Sequence, residues 1–179
     1  MKPASLLVVV ISLMLSSTFF EKTALVNSTA GNQSQIKIDS SEFRKEFLTQ
    51  INEIRAKGCH CGDKYMPPAA ALSWNDQLES AAAAHANDMA NKKYFNHIGP
   101  DKKTVKDRIV EAGYDFSGYR SYAVGENIAF GQRSVKEVMI GWIKSPHHCE
   151  NLMNPEFKEV GVAESNRYWV QDFGKRVPL

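Results

Sequence analysis

Cysteine is scarce in this chain: three in 179 residues, at positions 59, 61 and 149. That is too few for a disulfide-dense miniprotein, and no pair has the C-x-x-C spacing of a redox dithiol. An apolar run able to cross a bilayer, which takes about 20 predominantly apolar residues, is also missing. The nearest candidate, from Leu6 to Phe20, is interrupted by Ser12, Ser16, Ser17 and Thr18. Neither charge sign dominates: 22 Lys and Arg stand against 20 Asp and Glu, interspersed, for a net charge of +2. The chain therefore has no basic stripe for nucleic acid and no acidic tail. Internal repeats are absent, and so is the Gly-x-Ser-x-Gly elbow of a serine hydrolase.

What is present divides the chain into three. Met1-Lys2, the apolar residues Leu6 to Leu15 and the small polar residues after them have the layout of a secretory signal peptide, assigned to residues 1–25. A membrane anchor would need a longer, less interrupted run. Residues 26–39 are rich in Asn, Ser, Gln and Thr, cannot bury enough surface to offset ordering entropy, and are expected to be a polar linker. Asn27-Ser28-Thr29 and Asn32-Gln33-Ser34 match the glycosylation sequon, which matters only in a eukaryotic secretory pathway. Residues 40–179 have the size of one ordinary domain. A secreted or periplasmic protein with no membrane span after cleavage is expected.

In an oxidising compartment, Cys149 is expected to pair with either Cys59 or Cys61, leaving one thiol over. Closing a loop of about 90 residues stabilises by roughly 4–5 kcal/mol in the chain-entropy model. A metal site built from Cys59, His60, Cys61 and Cys149 is the alternative, but C-x-C is tighter than structural zinc spacing.

Helical periodicity marks Phe43, Phe47, Ile51 and Ile54, with Ser40 or Ser41 as the expected cap and Gly58 as the stop. A second helix is expected from about Asn75, with Ser73 and Asp76 in capping-box positions and Leu78, Ala81, Ala82, His85 and Met89 on its buried face. Thr104-x-x-Asp107 predicts a short third helix, closed at Gly113. Ser134-x-x-Glu137 predicts a fourth, with Val135, Val138, Met139, Trp142 and Ile143 as its apolar face and Ser145-Pro146 as its end. The period then becomes two: Val160 and Val162 alternate with small residues, and Tyr168 to Phe173 is aromatic and β-branched. Ser165-Asn166 is the expected hairpin turn. Early helices and late strands, without a βα rhythm, indicate an α+β domain.

Four stretches carry a resemblance: Tyr94-Phe95-Asn96-His97; Gly125-Glu126-Asn127-Ile128-Ala129; Trp142-x-x-Ser145-Pro146-x-His148-x-x-Asn151; and Tyr168-Trp169-Val170-Gln171-x-Phe173-Gly174. Leu72-Ser73-Trp74-Asn75 fits as well. In this order and spacing, from about Phe43 to Gly174, the chain resembles the bacterial branch of the CAP superfamily (cysteine-rich secretory proteins, antigen 5 and pathogenesis-related proteins of group 1; the SCP-like extracellular domain). The resemblance implies an α-β-α sandwich with a small antiparallel sheet between helical layers. It also implies a cleft where two histidines and two acids can hold a divalent metal. His97 matches the first histidine and Glu126 the first acid. The second acid is replaced by Ser145 and the second histidine by Tyr168, while His148 stands on the segment after Pro146, as in many bacterial members.

By residue chemistry, His97, Glu126 and His148 can supply three ligands to a zinc ion if the fold gathers them. Alternatively, Glu126 fixes a histidine tautomer, or the histidines are hydrogen-bonded residues of a polar groove. Ser145, Tyr168, Asn127 and Asn151 are expected around that groove, with the two asparagines bonding backbone and Ser145 capping the Pro146 segment. His85 is expected in the core and His147 in solvent. The leading functional expectation is a non-enzymatic binding module, the resemblance allowing a lipid, sterol, cell-wall component or protein as ligand. A metal-dependent, peptidase-like hydrolase using the same cluster is the alternative, as is an inert groove on a partner-binding protein.

Overall fold

The computed structural model describes the backbone from Thr29 to Leu179 and side chains from Ser40 onward; the expected signal peptide lies outside the described residues. Helix α1 (Thr29–Lys57) starts ahead of Ser40, within the stretch expected to be a linker, so Ser40 and Ser41 lie inside it rather than at its cap. Serine inside a helix costs only a few tenths of a kcal/mol relative to alanine, so the pair need not interrupt it. Gly58 ends α1 in the left-handed region, at φ 72°. A small hairpin follows, β1 (Cys59–Cys61) with β2 (Lys64–Met66), and the two pair only with each other.

The main sheet has β3 (Ser73–Trp74), β4 (Tyr119–Phe130), β5 (Glu159–Ser165) and β6 (Tyr168–Pro178), in the order β3-β5-β6-β4. It is antiparallel apart from the short β3–β5 pairing. Side-chain alternation splits it into two faces. Val160, Val162, Trp169 and Phe173 face α1, α4 (Val135–Lys144) and α5 (Pro146–Met153), and are buried against Phe47, Ile51, Met139, Trp142 and Leu152. Ile128, Tyr168 and Val170 face α2 (Asp76–Lys92), meeting Ala82, Ala86 and Met89. Helix α3 (Val105–Glu111) closes that side through Ile109. The result is the expected α-β-α sandwich.

Three local expectations change. Helix α2 is capped by Asn75, whose side chain accepts from the amides of Gln77 and Leu78, rather than by Ser73, which is in strand. Pro146 does not simply end α4; it also opens α5 at the first helical position, where its missing N–H costs nothing. The β5–β6 turn is Asn166-Arg167, both with positive φ (49° and 67°), one residue later than expected. Thr104 caps α3 in a reciprocal capping box with Asp107, as the spacing predicts. Ser134 caps α4, while Glu137 reaches the amide of Arg133 instead of that of the cap.

Cys61 and Cys149 form the disulfide, which ties the β1–β2 hairpin to α5, and Cys59 keeps its thiol. Bonding two of the three sulfurs in this way removes the cysteine metal site considered from sequence.

Candidate functional site

The site is built on β4, an edge strand. Alternation turns Glu126 and Ile128 toward α2 and α3, and Asn127 toward α5. Glu126 is buried and stands opposite Asp172 of β6 in the ladder. Both of its carboxylate oxygens are engaged: His97 Nδ1 is 2.7 Å from Oε1, and Arg108 Nη2 donates to Oε2 at 2.6 Å. Arg108 comes from α3 and is itself buried. Through Nη1 it also donates to the backbone carbonyls of His97 (2.9 Å) and Lys103 (3.1 Å). One guanidinium therefore fastens the loop carrying His97 to the strand carrying Glu126.

His97 offers the exposed part of this cluster, with its side chain 52% accessible. If Nδ1 carries the proton toward Glu126, Nε2 is left as an acceptor on the exposed side of the ring. Burial works against the Glu126 carboxylate, but the hydrogen bond from His97 and the charge of Arg108 outweigh it and hold its pKa below the usual glutamate range. Asp172 goes the other way. Complete burial, reinforced by the neighbouring Glu126 charge, pushes its carboxyl well above the ordinary aspartate value, and neither of its oxygens has a donor. The two facing carboxyls are thus shifted in opposite directions, and Arg108 is bonded to Glu126 alone.

Across the strand, His148 sits in the first turn of α5. Its ring is half-buried, and burial, followed by the nearby His97 and His147, pushes its pKa down. The two asparagines hold this side together. Asn127 Nδ2 donates to the His148 carbonyl (3.1 Å) and to Gln171 Oε1 (3.0 Å). Asn151 Nδ2 donates to the Glu126 carbonyl (3.2 Å) and to Asn127 Oδ1 (2.9 Å). They bond backbone, as expected, and each other as well.

Other expected positions fall differently. Ser145 occupies the cap position of α5, but its side chain makes no capping bond; its amide instead bonds the carbonyls of Gly141 and Trp142. Tyr168 is buried against Phe130, their ring centroids 4.4 Å apart. It lies four residues along β6 from Asp172, about 13 Å at strand rise, so it is not gathered with Glu126. His85 is a satisfied core histidine, its Nε2 3.0 Å from the Asn96 carbonyl, and His147 is exposed.

A resident zinc requires donor atoms converging on one point at about 2 Å. Among the described residues, the only set of three or more His, Cys, Asp and Glu side chains whose ligand atoms all lie within 4.8 Å of one another is the three cysteines. Strand alternation separates the Glu126 carboxylate from the α5 side, where His148 stands, and both Glu126 oxygens are already engaged. In this arrangement the groove residues do not fit a resident metal.

Arg108 and Asp172 escape the sequence reading. Asp172 carries a usable signal, since the alternation of β6 places it on the same buried face as Tyr168 and Val170. Arg108 carries none: a basic residue in the last turn of a short helix looks like an ordinary surface cation.

Comparison with known proteins agrees with this architecture. The profile of the cysteine-rich secretory protein family (CAP) matches residues 48–173. The membrane protein YlbC of Bacillus subtilis is 28% identical over 152 residues, covering 85% of this chain and 40% of that protein. YkwD of the same organism is 35% identical over 104 residues, 57% of this chain and 38% of that protein. The chain therefore spans about two fifths of the length of these curated relatives. Among solved structures, an extracellular SCP-domain protein of Bacillus anthracis superposes with a TM-score of 0.62 at 27% identity, covering 74% of this chain and 40% of that one. An outer surface protein of Borrelia burgdorferi gives 0.60 at 25% identity, covering 75% and 93%. These structural neighbours are described as extracellular or surface proteins, and no helix among the described residues is long and apolar enough to cross a membrane. With the family profile spanning most of the chain and the sandwich present, this protein belongs to the cysteine-rich secretory protein (CAP) family.

Proposed function

We propose that the chain is an exported binding module that holds a ligand in a groove at the β4 edge, with His97 and Glu126 on one side of the strand and His148 on the other. The observation that carries this reading is the complete engagement of Glu126. A carboxylate whose two oxygens each already hold a hydrogen bond, from His97 and from Arg108, is employed in orienting an imidazole and supplying fixed charge, which favours a positioning role over that of a free base. His97 offers a half-exposed, pre-oriented ring to a polar group of the ligand, and burial favours the neutral form of the His148 ring beside it. Lipids, sterols, cell-wall components and proteins are the ligand classes to screen.

The test is calorimetric titration of zinc into the protein, His97→Ala and His148→Ala, paired with cosedimentation on cell-wall sacculi and on cholesterol-containing vesicles. The expected result is no stoichiometric zinc uptake, with retention on one of the two surfaces weakened by His97→Ala. Stoichiometric zinc binding lost in both variants would overturn this reading in favour of a metal-dependent hydrolase, in which the ion activates water.

A further inference from the structure

Cys59 lies outside the groove, and the function proposed above makes no use of it. It is two residues from Cys61 in β1, so both side chains leave the hairpin by the same face, the one that meets α5. Cys61 is bonded to Cys149, yet Cys59 Sγ stands only 3.6 Å from Cys149 Sγ. The three sulfurs lie within 4.8 Å of one another, packed with Ile54, Met66 and Met153. Cys61 and Cys149 are almost fully buried, whereas Cys59 is partly exposed. A free thiol in contact with a disulfide sulfur is the arrangement from which thiol–disulfide exchange starts.

We propose that Cys59 is an exchange thiol and that the disulfide at Cys149 passes between Cys61 and Cys59. The step balances within the chain. The Cys59 thiol gives its proton to solvent, and the thiolate attacks Cys149 Sγ. The Cys59–Cys149 bond forms as the Cys61–Cys149 bond breaks, and Cys61 leaves as a thiolate that takes a proton back. There is no net oxidation, and no external oxidant or reductant is needed.

Two features keep the alternative bond within reach. The sequence separation is 88 for Cys61–Cys149 and 90 for Cys59–Cys149, so loop-closure entropy hardly distinguishes the two links. The β1–β2 hairpin is separate from the main sheet, so shifting it by two residues against α5 leaves the four-stranded ladder intact. Cys149 directly follows His148, so the bond that moves is the one anchoring the start of the groove's helix.

The experiment labels the free thiol of the oxidised protein with N-ethylmaleimide after an acid quench and locates the label by tandem mass spectrometry. At the outset the label sits on Cys59. On incubation in mildly alkaline buffer it is expected to shift in part to Cys61, at a rate independent of protein concentration and only when Cys59 is present, so Cys59→Ser gives no label there. Cys61→Ser is expected to contain a Cys59–Cys149 disulfide and no free thiol. Label that stays on Cys59 throughout overturns the proposal, whether or not Cys61→Ser folds. So does a migration rate proportional to protein concentration, which would mean exchange between molecules.

Discussion

Glu126 and Asp172 face each other across the β4–β6 ladder, and the buried Arg108 guanidinium is bonded to Glu126 but not to Asp172. Like charges directly opposite in a ladder are destabilising, and the pair responds with Glu126 held below its ordinary range and Asp172 pushed well above its own. Because the Asp172 pKa is raised on folding, its contribution to stability is complete below the unfolded-state value of about 3.9 and is lost as pH rises through the native value. Glu126, depressed on folding, contributes above about 4.3 and loses that contribution as pH falls through its native value. Asp172→Asn keeps the shape of the neutral acid and removes only the first effect. Urea unfolding should therefore show the smallest difference from the parent near pH 4, with the variant gaining up to about 1.4 kcal/mol per pH unit above that until native Asp172 titrates. Parallel stability curves from about pH 4 to 7 would show that Asp172 ionises normally. At this scale the sequence motifs single out His97 and Glu126, which the fold brings into contact, but Arg108 becomes visible only when α3 packs beside β4.

Elements are legible where one local signal decides them. The box at Thr104, the cap at Ser134 and the apolar faces of α2 and α4 stand out in the sequence, because capping and period act within a few residues. Helix α5 is hidden because Pro146 carries two meanings, a stop for one helix and a start for the next. The long strand β4 has no clear limits in the sequence because Tyr119 to Tyr122 is largely exposed beyond the sheet's core, leaving no alternation of buried and exposed residues there. Gly161, by contrast, is in the sequence only a small residue between two valines, and its role is an interface between elements. A Cβ built there would stand 2.0 Å from the Glu79 amide nitrogen and 2.4 Å from the Leu78 carbonyl carbon, both backbone atoms of α2. Neither can swing aside as a side chain can, so α2 must lift from β5 to admit a methyl group. Gly161→Ala is expected to lose about 1–3 kcal/mol or more in denaturant unfolding. A loss below about 0.5 kcal/mol, the range of an ordinary surface change, would show that α2 is free to shift.

For the whole molecule, the family is legible because four motifs fall in one order along the chain, although none of them is specific alone. What the proposed groove would hold is not legible: it depends on how two layers meet at the edge of β4, and a fold of this kind does not dictate a ligand. The cysteine pairing stays open in the sequence for a related reason, since Cys59 and Cys61 share one face and both reach Cys149. The bond that does form joins the peripheral hairpin to α5, whereas the core between the sheet and α1 and α4 is assembled from Phe47, Ile51, Met139, Trp142 and Phe173 without it. Reduction should therefore act mainly on the unfolded chain by releasing its closed loop. Guanidinium unfolding with and without reductant should show a loss of roughly 4–5 kcal/mol, with the far-ultraviolet circular dichroism of the native state unchanged. If reduction also removed native helix signal, the disulfide would be holding α5 in place rather than restricting the unfolded ensemble, and the groove on the His148 side would depend on it directly.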